Sequence, residues 1–316
     1  MKTAFLKIVC KQLALWCMTT ILLLIIIFIP RDVIYETSKY GDVQKIVYDY
    51  SVEQHVSNIK EFFVFLQENH GLGDYSDGDT VESHVLKTSG RSLLIIIPAI
   101  FIGFFLGIIK GVFDYFTKKN KKLGVGSGIT WFMLSVPDLF FMIGLQLLLM
   151  FLYEIGLFPH VDLYGHEKLE NIIVCILFLA IYPLFLIANI TYTSLVEEET
   201  KDYIRTAKSK GISHYKTIVL HMLKNALQKI NVNSNTMTLY VLSNLFIVEF
   251  LTNYRGAAIY FYKAIASPQR FVEGTNFNVN TNSAVGFVLV FTLIILLSNL
   301  FFLLISHSVS PKGKEA

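Results

Sequence analysis

Six long runs of apolar residues constrain this chain more than any other feature of its sequence. The runs cover residues 13–29, 92–109, 131–153, 171–195, 232–251 and 284–306. A helix needs about 17–25 mostly apolar residues to cross the hydrocarbon core of a bilayer, since each residue adds about 1.5 Å of length. The sequence therefore predicts an all-α, polytopic membrane protein with six transmembrane helices.

The composition agrees with a chain that lies largely in lipid. Hydrophobic residues make up 53% of the sequence and charged residues only 16%, whereas charged residues are about 25% of a typical soluble domain. The three cysteines, Cys10, Cys17 and Cys175, lie in or beside apolar runs, so we expect no extracellular disulfide framework. We expect the lipid bilayer as a partner and no nucleic acid.

The apolar runs also suggest how the chain is divided. We predict a cytoplasmic N-terminus with the first span, an acid-rich extracytoplasmic loop, a five-helix core and a cytoplasmic tail, at residues 1–30, 31–91, 92–306 and 307–316. Pro30-Arg31 directly follows the first run, which lacks a small-residue cleavage site, so we interpret it as an uncleaved span. Within the loop, the apolar patch at 59–66 predicts a short helix near the membrane.

Basic residues predict the orientation of the six spans. Of the 27 Lys and Arg residues, 17 fall on the side that would hold both termini and the loops after the second and fourth runs. Cytoplasmic loops carry an excess of Lys and Arg. We therefore predict that both termini are cytoplasmic.

A polar segment at residues 197–230 lies between the fourth and fifth runs, on the predicted cytoplasmic side. Its acidic residues at 197–199 and 202 precede lysines at 208 and 210, the charge order that a helix dipole favours. Tyr203, Ile204 and Ala207 give the predicted helix one narrow apolar face. The pattern indicates a short amphipathic helix on the membrane surface.

A turn and a second helix are expected after this first helix. Gly211 stands where the residue beyond a helix C-terminus often adopts a left-handed conformation. Ser213 can cap a second helix that begins at about His214. On charge pattern alone, a solvated loop between two membrane helices explains the segment equally well.

The segment resembles the EAA loop of ABC importer permeases, in the version of the dipeptide/oligopeptide and nickel permease family. The resemblance is carried by Y-I-R-T-A-K-S-K-G at 203–211 and by K-N-A at 224–226. In that family the loop is the coupling helix that docks on the ATPase subunit. The residues to which the resemblance assigns this role are Tyr203, Ile204, Arg205, Thr206, Ala207, Lys208, Lys210 and Gly211. Gln228-Lys229 depart from the family's Leu-Pro, so we expect a less sharply broken helix there.

Three further stretches are similar to the same family. Residues 134–140 resemble its Ser-Ile-Pro-x-Phe at the start of the third span, and 156–159 its Gly-Trp-Leu-Pro after that span. Residues 248–265 resemble its V-E-x-F…G…A-I stretch, although Arg255 replaces a usual Pro and Ala258 a usual Gly. The spacing agrees from residue 92 to the end.

The resemblance implies a type I ABC importer permease in the cytoplasmic membrane of a bacterium. Its implied partners are a second, different permease in a heterodimer, two ABC ATPase subunits and an extracytoplasmic substrate-binding (lipo)protein. Peptides are the implied substrate, with nickel or a metal chelate as the alternative. The chain itself would be no enzyme and would bind no cofactor, since ATP belongs to the ATPases. Its glycine-rich stretch at 124–130 lacks the Lys of a P-loop.

Polar residues in the fifth run are candidates for the translocation path. Asn231, Ser234, Asn235 and Thr238 recur at helical spacing on one stripe, and Glu249 follows near the end of the run. A stripe of amides and hydroxyls suits a peptide backbone, but hydrogen bonds that hold helices together are the alternative. For Asp138, at the start of the third span, a structural role is favoured.

Two other classes of protein remain open at this stage. A secondary transporter or channel acting alone would need a charge relay in the membrane, for which Glu249 is a candidate. A sensor subunit could use the long outer loop to hold a ligand. The pairs His160/Asp162 and His166/Glu167 have metal-ligand residue types, but a solvated loop is the favoured interpretation and no metal site is predicted.

Overall fold

The computed structural model describes residues 2–31, 33–37, 43–48, 50–76, 78–118, 126–266 and 279–309. These residues form two compact units that the sequence did not separate. The first unit comprises Met1–Gln12, Leu93–Tyr254 and Ile294–Ala316, and the second comprises Leu13–Ser92 and Arg255–Leu293. The boundaries predicted at residues 30, 91 and 306 stay a prediction.

The N-terminal part of the chain mixes helices with short strands. Its elements are α1 (Lys2–Ile27), β1 (Val33–Thr37), β2 (Val43–Tyr48), α2 (Val52–Asn69), β3 (Asp74–Ser76), β4 (Asp79–Thr80) and α3 (Val81–Thr117). The strands form two antiparallel hairpins, β1–β2 and β3–β4. Because these strands are short, the described chain is mostly helical, in agreement with the predicted fold class. Helix α2 confirms the helix predicted at 59–66, and Ser51 caps it by accepting a hydrogen bond from the Gln54 amide at 3.2 Å.

The rest of the described chain is helical. Its elements are α4 (Ser127–Ser135), α5 (Asp138–Glu154), α6 (Leu169–Glu198), α7 (Asp202–Ser209), α8 (His214–Lys216), a π-helical turn (Thr217–Met222), α9 (Leu223–Val232), α10 (Ser234–Leu251), α11 (Ala257–Ile265) and α12 (Thr281–Val309). Pro137 falls between α4 and α5, which bend by 103° relative to each other. Proline has no backbone N–H and disfavours the helical conformation of the preceding residue, which explains the break at this position.

The predicted count of six spans is not confirmed. Among the described residues, four helices are long and apolar enough to cross a membrane: Leu6–Ile27, Val81–Thr117, Leu169–Glu198 and Thr281–Ile305. The bent pair α4/α5 raises this number to five at most. Helix α10, over the fifth predicted span, is not among them, since Asn235, Asn244 and Glu249 reduce its apolar character.

A stripe of glycines brings α3 close to α6. A Cβ atom added to Gly107 would lie 2.7 Å from the Leu184 carbonyl oxygen, and one added to Gly111 would lie 2.5 Å from that of Ala188. Small residues four apart allow the backbones of membrane helices to approach this closely. The sequence contains the signal for this contact as G-x-x-x-G-x-x-x-G at 103–111.

Candidate functional site

The segment at 197–230 has the predicted helix, glycine turn and second helix. Helix α7 ends at Ser209, and Gly211 adopts a left-handed conformation with φ of 73°, as predicted. The Ile212 amide donates to the Ala207 carbonyl at 3.2 Å, the bond that closes a Schellman motif beyond a helix C-terminus. Ser213 precedes α8 as predicted, but its side chain makes no capping hydrogen bond.

The apolar face of α7 packs into the first unit instead of facing outward. Ile204 is 1% exposed and Ala207 is 7% exposed, and Ile204 belongs to a core cluster with Ile218 and Met222. This face is therefore not free to contact another subunit. Exposed residues of the segment include Arg205, Thr206 and Lys210. The side chain of Lys208 lies outside the described part of the structure.

Three consecutive glutamates hold the end of α6 to three other parts of the first unit. Glu197 pairs with Lys229 of α9 at 2.5 Å, and Glu199 pairs with Lys118 beside α3 at 2.9 Å. Glu198 accepts hydrogen bonds from Lys201 and from the Tyr203 hydroxyl. The three carboxylates thus connect the end of α6 to α9, to α7 with the residue before it, and to the residue that follows α3.

This arrangement corrects the charge order inferred from the sequence. Glu197 and Glu198 lie in the last turn of α6, not at the N-terminus of α7, and Glu199 follows them. Negative charge is unfavourable at a helix C-terminus, so the lysine and tyrosine partners offset it. Burial, together with the hydrogen bond to Glu198, raises the pKa of Tyr203 to about 12. The phenol therefore stays protonated and donates to Glu198 at physiological pH.

The predicted polar stripe is divided by a break between two helices. Helix α9 ends at Val232 and α10 begins at Ser234. Asn231 and Ser234 are buried, and the Ser234 hydroxyl donates to the Asn231 carbonyl at 2.6 Å. Thr238 is fully buried and shares a hydrogen bond of 2.7 Å with Ser298 of α12. These three residues pack inside the first unit.

Asn235 differs from the other candidates of the stripe because it is exposed. It shares the open side of α10 with Thr236, Leu239 and Ser243, which are exposed as well. Glu249 is fully buried and has interaction partners inside the chain. In this chain, the open polar face of α10 therefore contains Asn235 but not Ser234, Thr238 or Glu249.

The structure also links residues that the sequence did not connect. Asp138 of α5 accepts a hydrogen bond from the Asn244 side chain of α10 at 2.7 Å. The hydroxyl of Tyr182 in α6 lies 3.4 Å from that of Tyr240 in α10. The sequence signal for this cluster was the carboxylate inside an apolar run, which gave no indication of its partners.

The loop from 155 to 168 has no metal-ligand cluster in the described residues. Asp162 forms an ion pair with Lys168 at 2.8 Å, and the hydrogen bond from Lys168 lowers the pKa of that carboxyl. The His160 ring packs edge-on against Tyr153, with 5.1 Å between the ring centroids.

Comparison with known families places the chain in one of them. The family of binding-protein-dependent transport system inner membrane components matches residues 99–314, which is more than half of the chain. The chain belongs to this family, and it is thus an inner membrane component of a transport system.

Individual relatives agree with that assignment. The dipeptide transport system permease protein DppB of Bacillus subtilis is 31% identical over 175 residues, which are 54% of this chain and 52% of the relative. The glutathione transport system permease protein GsiC of Salmonella paratyphi A is 26% identical over 178 residues, 56% of this chain and 55% of the relative. The matches thus span about half the length of these relatives.

The fold is similar to that of a solved importer. An inward-facing structure of the MetNI methionine ABC transporter matches with a TM-score of 0.54 and 15% identity, covering 72% of this chain and 96% of that one. The chain therefore has the fold of a type I ABC importer permease.

Proposed function

We propose that this chain is the membrane-spanning subunit of an ATP-driven importer and forms part of the path along which peptides cross the membrane. An extracytoplasmic binding protein delivers the peptides, two ABC ATPases supply the energy, and a second, homologous permease completes the path. Both termini lie in the cytoplasm. Membership of a binding-protein-dependent transport family supports the class of system, and the dipeptide and glutathione permeases among the relatives support peptides as substrates.

The proposed coupling role is supported by the way in which α7 packs against the rest of the first unit. Its inner face is buried with α9 and the π-helical turn, while Arg205 and Thr206 are exposed. Buried packing and the hydrogen bonds to Glu198 connect α7 to α6 and α9. A displacement of α7 by a protein bound to its exposed face would therefore move α6 and α9 as well. A helix that transmits force from an ATPase to a transport path requires this combination of an open face and a rigid attachment.

The exposed polar residues on the open side of α10 support the proposal that a peptide path runs along this side. Asn235, Thr236 and Ser243 present amide and hydroxyl groups that can hydrogen-bond a peptide backbone. Exposed polar groups are unfavourable towards lipid, which favours a water-filled path on this side.

Cysteine crosslinking tests the coupling role. Thr206→Cys should form a disulfide with a cysteine in the groove of the ATPase when the assembled complex is mildly oxidised. Ala207→Cys, one residue further but buried, is the matched control and should not crosslink. Absence of any crosslink from 205, 206 or 210 in a complex shown to be assembled would contradict the proposal.

A further inference from the structure

Asp138 is a carboxylate at the break between the apolar helices α4 and α5, and it has no cationic partner among the described residues. It is the first residue of α5, directly after the 103° bend. Charged groups at such positions are costly and normally pair with another group or line a path. Asn244 donates to Oδ2 of Asp138. Across the described ranges, no Lys, Arg or His lies within ion-pair distance of it.

A second carboxylate in the same unit shows what a purely structural arrangement looks like. Asp114 of α3 is almost fully buried, forms an ion pair with Lys110 and accepts a hydrogen bond of 2.6 Å from Thr130. Its charge is neutralised inside the chain. Asp138 has an amide in place of the lysine, and the dipole of α5 compensates its charge only in part.

The phenol of Tyr182 lies beside Asp138, and a second phenol, that of Tyr240, packs against Tyr182. The rings of Tyr182 and Tyr240 are 4.6 Å apart between centroids and tilted by 41°. Tyr182 and Asp138 line the same small cavity of about 10 Å³, which is close to the volume that one water molecule requires. Asp138, Asn244, Tyr182 and Tyr240 are each only half-buried, so they remain accessible.

The cluster borders the open side of α10. Tyr240 and Asn244 are one turn apart, and the exposed residues Leu239 and Ser243 directly precede them in the chain. A molecule that passes along the face of Asn235, Thr236 and Ser243 would therefore come beside the carboxylate.

We propose that Asp138, Asn244, Tyr182 and Tyr240 form a cation-recognition site that takes the primary ammonium group of a peptide in transit. An ammonium group has three donors and no acceptor, and the cluster offers a carboxylate, an amide oxygen and two phenol oxygens as acceptors. The faces of the two aromatic rings also attract a cation. Asn244 already occupies one carboxylate oxygen, which favours a compact ammonium over a guanidinium that binds both oxygens. The inference rests on the peptide path proposed above.

The charge preference of the site can be measured with a nearby cysteine. In the assembled complex reconstituted in lipid, Cys10 and Cys17 are replaced by Ser, Cys175 is buried, and Ser243→Cys provides the probe. The rates of modification by a cationic and by an anionic methanethiosulfonate are compared. Adding Asp138→Asn should lower the cation-to-anion rate ratio about tenfold, which corresponds to about 1.4 kcal/mol. Glu154→Gln, an exposed carboxylate at the other end of α5, is the control and should leave the ratio unchanged.

Peptides then test which cation the site takes. Trialanine should slow the modification of the cysteine, whereas N-acetyl-trialanine at the same concentration should not. An unchanged ratio in Asp138→Asn, no reaction with either reagent, or equal protection by both peptides would each overturn the proposal. The same rate ratio is measured without the second permease. A preference for the cationic reagent that is found only in the absence of that subunit would also overturn the proposal, because a cationic group of the subunit would then occupy the site in the complex.

Measurements of peptide uptake distinguish a failure of the proposed ammonium site from a failure of the proposed peptide path on which it rests. If the complex with the unaltered chain does not import trialanine, the proposed peptide path is wrong. If that complex imports trialanine and Asp138→Asn imports it with the same concentration dependence, only the ammonium site is wrong.

Discussion

At the scale of single residues, the position of α7 depends on contacts that no local pattern contains. Gly211 could be assigned a left-handed conformation because glycine populates positive φ without a steric penalty and follows a helical pattern directly. The partners of Glu197 and Glu199 could not be assigned, because Lys229 and Lys118 lie 32 and 81 residues away in sequence. Their charges also suited an N-terminal position in α7, so the pattern favoured the wrong helix.

Replacing Glu198 should loosen α7 more than replacing either neighbouring glutamate. Glu198→Ala leaves the Tyr203 hydroxyl without its acceptor in a part-buried position, and a lost partner of this kind costs about 1–3 kcal/mol. We expect faster hydrogen exchange of the α7 amides and a lower unfolding temperature of the purified complex. Glu197→Ala is the control: its ion pair is exposed, and such pairs contribute about 0–1 kcal/mol. Equal effects of the two substitutions would show that Glu198 has no special role.

At the scale of secondary structure, the apolar runs predicted where helices occur but not which of their faces are free. The polar stripe at 231–238 was predicted as one face of a continuous helix. In the structure the helix is interrupted between Val232 and Ser234, and three of the four residues of the stripe are buried. Thr238 is buried where it contacts Ser298 of α12, and this contact forms only when α10 and α12 pack together. The approach of α3 to α6 could have been predicted from its glycine spacing.

The glycine stripe gives a test of the α3–α6 contact. Gly107→Ala places a methyl group 2.7 Å from both a carbonyl oxygen and the Ile187 side chain, so the helices must separate. Such overpacking costs about 1–3 kcal/mol, and we expect a clear loss of thermal stability. Gly90→Ala on the same helix meets no atom within 4 Å and replaces glycine by a better helix former, so it should be neutral or stabilising. Equal stability of Gly107→Ala and Gly90→Ala would contradict the close contact between α3 and α6.

The two sides of α10 should respond differently to loss of a polar group. Asn235→Leu on the open side should reduce uptake of a pentapeptide more than that of a dipeptide, since a longer backbone makes more contacts with the path. Thr238→Val on the buried side removes the hydrogen bond to Ser298 and should lower stability by about 1 kcal/mol, with equal effects on both peptides. Uptake of labelled peptides at matched membrane abundance measures the difference. Equal losses for both lengths in Asn235→Leu would argue against a path on this side.

At the scale of the whole molecule, family and fold class could be predicted, whereas the exact number of spans could not. The Y-I-R-T-A-K-S-K-G segment was sufficient to indicate an importer permease, and the match over 99–314 confirms it. Mean apolarity cannot decide whether a helix such as α10 spans the bilayer, because a helix that lines a path or packs inside a bundle is allowed polar residues. The strands between residues 33 and 80 escaped prediction because strands of two to six residues leave little periodicity.

The predicted orientation has a direct test in two exposed positions that flank α6. Glu167 precedes this candidate span and Lys210 follows it, so they should lie on opposite sides of the membrane. The excess of Lys and Arg around 197–230 predicts that Lys210 lies in the cytoplasm. In a chain with Cys10 and Cys17 replaced by Ser, Glu167→Cys should react with an impermeant maleimide in intact cells. Lys210→Cys should react only after the cells are permeabilised. The reverse pattern would put the segment at 197–230 outside the cell, where no ATPase could reach it, and would contradict the proposed importer as well as its orientation.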